Sequence, residues 1–124
     1  MPRFGDLEAA IMDEVWAADA PVRVRAVADK LNREPGQRAY TTVQTVMEVL
    51  YRKGWLTRTK DGRVNLYAAA ASREDYVAGL MDEALAVAED RAAVLLRFVE
   101  TMDPAETAEL RRMLAAAKSR KSTR

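Results

Sequence analysis

The side chains best suited to chemistry in this chain are hydrogen-bonding groups rather than reactive ones. Thr41, Thr42, Gln44 and Thr45 lie close together in the stretch YTTVQT and are followed by Arg52, Arg58, Lys60 and Arg63. Hydroxyls and a carboxamide can exchange hydrogen bonds with base edges, and Gln can pair bidentately with adenine. Threonine methyls can pack on a thymine methyl, while guanidinium and ammonium groups attract phosphates. The chain contains no Cys and no His. That removes the thiol nucleophile, the imidazole base, the disulfide and nearly every common zinc or copper site. Its Asp and Glu sit among helical surface positions, where solvation accounts for them. An enzyme is therefore not expected, nor is a cofactor or a metal.

The charge distribution points the same way. The net charge of the 124 residues is only +1, but residues 1–19 carry −4, residues 20–70 carry +6, residues 71–117 carry −5 and the tail from Lys118 carries +4. Basic surface confined to one section is the footprint expected for a polyanionic partner such as double-stranded DNA. A chain that is 49% hydrophobic and 31% charged should fold, as one compact domain or as a small domain with an oligomerisation extension. The N-terminus has acids where a signal peptide needs an apolar run, and no apolar stretch approaches the roughly 20 residues of a membrane helix. A cytoplasmic protein without a membrane partner is expected.

The elements that must position these residues are legible from periodicity. A first helix over GDLEAAIMDEVWAA, capped by Gly5 or Asp6, has Leu7, Ile11 and Val15 as its buried stripe, widened by Met12 and Trp16. Ala20 to Val22 is too short for more than an extended stub. A second helix over VRVRAVADKLN buries Val24, Val27, Ala28 and Leu31, with a Pro35-Gly36 turn beyond it. A third begins near Thr41 or Thr42, buries Val43, Val46, Met47 and Leu50, and stops at Lys53-Gly54. Its opposite arc presents Thr41, Thr45, Glu48 and Arg52, with Thr42, Gln44 and Val49 on the shoulders; Glu48 and Arg52 have the spacing of an i, i+4 ion pair. Two alternating segments then form a hairpin about Asp61-Gly62. Leu56, Arg58 and Lys60 share one strand face, and Trp55, Leu66 and Tyr67 are its expected anchors.

Beyond Ser72 the chain reads as helical: a capping signature at Ser72 to Asp75, a spine of Tyr76, Val77, Leu80, Ala84 and Val87, an apolar segment with Leu95 and Phe98, and a helix launched by Asp103-Pro104 and carrying Leu110, Met113 and Leu114. The expected fold is mostly α with a small β-hairpin wing: a winged helix-turn-helix over residues 1–71, a helical dimerisation region over 72–117 and a basic disordered tail over 118–124. The third helix would enter the major groove with Thr41, Thr42, Gln44, Thr45 and Arg52. The wing residues Arg58, Lys60 and Arg63 would hold the backbone.

The run AYTTVQTVMEVLYRKGWLTRTKDGRVNLYAA resembles the penicillinase-repressor (BlaI/MecI) family of bacterial transcriptional regulators. GDLEAAIMDEVW, REDYVAGLMDEAL and LLRFVE extend the likeness to about residues 4–117. The resemblance implies a homodimeric repressor that places one winged helix on each half of a palindromic operator and occludes a promoter. Its interface would be formed by Tyr76, Val77, Leu80, Ala84, Leu95, Phe98, Leu110, Met113 and Leu114. That agrees with the surplus of apolar spine after Ser72. Related systems respond to β-lactams through a sensor-protease that triggers cleavage at an Asn-Phe bond, which makes a regulatory protease a further partner. The matching place here reads Leu96-Arg97-Phe98-Val99, with Arg in place of Asn. Copper-responsive relatives sense through cysteines, which this chain lacks. Two other readings of the residues stand beside this one: a winged-helix protein–protein module docking through the third helix, and a regulator with a small-molecule pocket in its apolar helical region.

Overall fold

The computed structural model describes residues 3–32 and 39–122, with side-chain surroundings as far as residue 118. The expected Pro35-Gly36 turn lies outside the described residues. The element order is α1 (Asp6–Ala17), α2 (Val24–Leu31), α3 (Tyr40–Arg52), β1 (Leu56–Asp61), β2 (Val64–Ala69), α4 (Arg73–Ala86), α5 (Arg91–Glu100) and α6 (Pro104–Ser122). The chain divides into two compact units, one ending at Met81 and the other beginning at Asp82.

The first unit is a winged helix-turn-helix. Its core joins Ile11, Met12 and Val15 of α1, Val24, Val27 and Ala28 of α2, Val43, Met47 and Leu50 of α3, and Leu56 and Tyr67 of the hairpin. Leu7, Trp16, Leu31 and Val46, the edges of the expected stripes, pack around it half-buried. The periodicity was sufficient because each helix has a single apolar face to bury.

The ends of the elements have specific causes. The Glu8 side chain accepts the Gly5 N–H at 3.0 Å at the start of α1. At the end of α3, Gly54 N–H donates to the Tyr51 carbonyl at 3.1 Å and Trp55 N–H to the Leu50 carbonyl at 2.9 Å. This crossed pair needs a left-handed residue, and Gly54 has φ of +90°. The chain is thereby turned directly from α3 into β1.

The hairpin register differs from the expected one. Asp61 pairs with Val64, so the two-residue turn is Gly62-Arg63 rather than Asp61-Gly62. Within the turn only Gly62 has a positive φ, +65°, and no residue other than glycine has one among those described. A positive φ at the first central position alone is the pattern of a type II′ turn. Asp61 therefore remains in the strand and Arg63 moves to the tip. Leu56, Arg58 and Lys60 face Ala69, Tyr67 and Asn65 across the ladder. Tyr67 anchors this inner face, whereas Leu66, opposite Thr59, falls on the outer face and stays half-buried. The stub at Val22 forms one bridge to Tyr67, exchanging both backbone hydrogen bonds at 2.8 Å.

The first unit reaches further along the chain than the expected boundary at residue 71. Tyr76, anticipated at a subunit interface, is only 8% exposed within it. Its ring stacks on Phe4 with centroids 4.2 Å apart and meets Trp55 edge-on at 5.2 Å, and its hydroxyl accepts the Phe4 N–H at 2.8 Å. Trp16 completes the cluster and donates its indole N–H to the Ala71 carbonyl at 3.0 Å. Aromatic area and a satisfied hydroxyl make this a core position of the first unit.

In the second unit the expected cap at Asp103 forms, its Oδ1 accepting the Glu106 N–H at 2.8 Å, and Asp90 caps α5 as well, its Oδ1 accepting the Ala93 N–H at 3.1 Å. No residue from 82 to 118 is buried. α6 continues to Ser122, so residues 118–122 are helical where a disordered tail was expected, because no helix breaker follows Ala117. No helix among the described residues is long and apolar enough to cross a membrane.

The aromatic cluster yields a graded prediction. Tyr76→Phe should lower the stability of the first unit by about 1 kcal/mol through one lost hydrogen bond, and Tyr76→Ala by about 3 kcal/mol or more. Urea denaturation followed by tryptophan fluorescence measures both, since Trp16 and Trp55 sit beside the substituted ring.

Candidate nucleic-acid interface

With Val43, Met47 and Leu50 fixed in the core, the pitch of α3 turns Thr41, Thr42, Gln44 and Thr45 into solvent, where all four are exposed. Thr45 Oγ1 donates to the Thr41 carbonyl at 2.8 Å. Its hydroxyl hydrogen is thus engaged, and its lone pairs and methyl remain outward.

Arg63 and Gln44 come together in one cleft with Arg23, Arg25, Tyr40 and Asn65. The Arg25 guanidinium lies 4.3 Å from the centre of the Tyr40 ring, which fixes a flexible cation against the start of α3. Asn65 Oδ1 is buried without a hydrogen-bond partner among the described residues. Arg23 and Arg25 lie off the buried stripe of α2. Their place beside α3 depends on how α2 packs, and periodicity does not report that; the local surplus of Arg between residues 23 and 25 was the available signal. Lys60 and Arg63 are exposed and make no ion pair among the described residues.

Arg58 departs from its expected role at the wing tip. It lies on the inner strand face, opposite buried Tyr67 and pointing at α3. Its Nη1 donates to Glu48 Oε2 at 2.7 Å, its guanidinium covers the Tyr51 ring at 4.1 Å, and its side chain is 28% exposed. The guanidinium is held above its ordinary pKa, first by hydrogen bonding to Tyr67, with desolvation opposing, and then by the charges of Glu48 and of the Tyr51 and Tyr67 side chains. It therefore stays charged throughout the accessible pH range. The other oxygen of Glu48 faces Arg52 Nη2 at 3.4 Å, the i, i+4 pair anticipated from spacing. Arg52 is 72% exposed and keeps most of its surface in solvent.

The geometry is that of an exposed polar helix face beside a basic wing. No group of three or more potential metal ligands occurs among the described residues.

Comparisons with known proteins agree. The transcriptional regulator BlaI of Mycobacterium tuberculosis is 43% identical over 118 residues, spanning 93% of this chain and 85% of the relative. The solution structure of the DNA-binding domain of the repressor BlaI matches with a TM-score of 0.52 and 28% identity, over 60% of this chain and 89% of that one. Monomeric Bacillus licheniformis BlaI in complex with the blaP half-operator matches with a TM-score of 0.50, again at 28% identity and the same coverage. The sequence profile of the penicillinase repressor family covers residues 4–116. A winged helix exposing threonines and glutamine beside basic residues, matched along almost its whole length, places the chain in the penicillinase repressor family of DNA-binding transcriptional regulators.

Proposed function

We propose that the chain is a cytoplasmic homodimeric repressor that sets one winged helix on each half of a palindromic operator and occludes the promoter. The observation that carries this reading is the exposed arc of Thr41, Thr42, Gln44 and Thr45 flanked by cations without acidic partners among the described residues. α3 has the diameter to enter a major groove about 12 Å wide. Thr42, Gln44 and Thr45 then face base edges, with Thr41 near the backbone at the start of the helix. Arg23, Arg25, Lys60 and Arg63 neutralise phosphates, and Arg52 does so at the far end of α3. The half-operator complex of the Bacillus licheniformis relative supports this arrangement. A protein-docking role for α3 is less well supported, because its exposed arc of Thr41, Thr45, Glu48 and Arg52 offers no aromatic anchor of the kind typical of hot spots.

Dimerisation is supported by the second unit. With none of residues 82–118 buried, this unit gains little hydrophobic stabilisation alone. Phe98 is 47% exposed, Leu114 62%, and Leu95 and Met113 lie in the same range. Val77, Leu80, Ala84 and Leu110 add apolar surface on α4 and α6. Exposed apolar side chains in this number call for a partner, and a second copy supplies a self-complementary one. A regulatory protease that relieved repression would have to open α5, because the Arg97–Phe98 peptide lies inside it.

Fluorescence anisotropy with palindromic and scrambled duplexes over a salt series tests the reading. Salt-dependent binding that prefers one palindrome, with two subunits per duplex, is expected; equal, salt-independent signals overturn it. Lys60→Ala or Arg63→Ala should weaken binding to all duplexes and flatten the salt slope by roughly 0.9 per lost phosphate contact. Gln44→Ala should instead cost about 1–3 kcal/mol at one base position and leave scrambled duplexes unaffected. Phe98→Asp should give a monomer by light scattering. Its affinity for the full palindrome should fall by roughly 10²–10⁴ while half-site binding persists.

A further inference from the structure

We infer that Glu48 is a specificity-determining residue that acts by holding Arg58 away from the DNA backbone. This rests on the DNA-binding reading of α3 and the wing. Arg58 stands on a strand beside the recognition helix, where a mobile guanidinium would add a phosphate contact with any sequence. The ladder register sets only its starting direction, because it shares the face of buried Leu56 and Tyr67; the end of the side chain needs a further restraint. On that face three groups hold it: the Glu48 carboxylate at 2.7 Å, the Tyr51 ring at 4.1 Å and the neighbouring Tyr67. Glu48 is the only acid among the described residues to face it. A carboxylate on a DNA-reading helix is otherwise a liability, since it repels phosphate. Paired with Arg58 on one oxygen and Arg52 on the other, it instead acts as an internal substitute for a phosphate.

The two arginines differ in what Glu48 does to them. Arg52 is mostly exposed and its contact is long, so a surface pair of this kind restrains it weakly. Arg58 is mostly covered and its contact is short and charge-assisted. The restraint therefore falls on Arg58. Its consequence is a larger ratio of specific to non-specific affinity, obtained by lowering the second quantity.

Glu48→Gln tests the inference with the full-length chain and a scrambled duplex of about two helical turns. Non-specific affinity should rise, and the plot of log affinity against log salt should steepen by roughly 0.9 for one released guanidinium. In an Arg58→Met background the same substitution should leave the slope unchanged; in an Arg52→Ala background it should steepen it as before. A slope change that survives Arg58→Met is a simple charge effect and overturns the inference, as does an unchanged slope in the parent chain. If Arg58→Met abolishes the cooperative urea transition, Glu48→Asp decides. It keeps the charge but shortens the side chain, so a steeper slope supports release of Arg58 and an unchanged one overturns it. The parent chain measured alongside separates the two levels: no binding to any duplex defeats the DNA-binding reading, whereas binding with unaltered slopes in the variants defeats only the role of Glu48.

Discussion

Everything the first unit can do depends on how the wing is attached. A two-stranded hairpin is marginal in water, and β1 and β2 pair only with each other apart from one bridge. That bridge joins Val22 to Tyr67, and Tyr67 is also the hairpin's most deeply placed residue on β2, at 2% exposure. One residue thus secures the backbone to the stub before α2 and the ring to the core, and lies across the ladder from Arg58. Register follows from this. A slip by one residue would exchange the inner and outer faces, exposing Leu56 and Tyr67 and turning Arg58 outward.

A second constraint works at the other side of the same unit. Phe4, Trp16, Trp55 and Tyr76 come from the chain start, α1, the α3–β1 junction and the first turn of α4. Arg73 caps the group, lying over the Trp16 ring at 4.9 Å and pairing with Asp13 at 2.9 Å. The start of α4 consequently belongs to the winged helix, and the helix continues from there beyond Met81.

Charge is sorted by the fold as well. Of the cations between residues 20 and 70, Lys30 pairs with Glu14, Lys53 with Glu8, and Arg52 and Arg58 with Glu48. Arg23, Arg25, Lys60 and Arg63 have no acidic partner among the described residues. The basic middle of the sequence therefore overstates the charge presented by the surface. What matters for a polyanion is the unpaired subset, gathered near α2, the start of α3 and the wing tip.

The sequence by itself determined the order of elements, the buried stripes of the three helices, the exposed arc of α3 and the caps at Ser72 and Asp103. These follow from interactions within a few residues of one another, where a period of 3.6 or a cap at fixed spacing leaves little choice. The i, i+4 pair of Glu48 and Arg52 was legible for the same reason. Tertiary structure decided the rest. Arg58 looked like another wing cation until the register placed it inward against Glu48, ten residues earlier in the chain. Tyr76 looked like the first residue of an exposed spine until Phe4, 72 residues away, covered it. The turn moved to Gly62-Arg63 because burial of Leu56 and Tyr67 sets the ladder, and Asp-Gly chemistry is permissive enough to accept either register. Long-range burial outweighs local preference in each case, and a single sequence records burial only through the residues that need it, not through the partners that provide it.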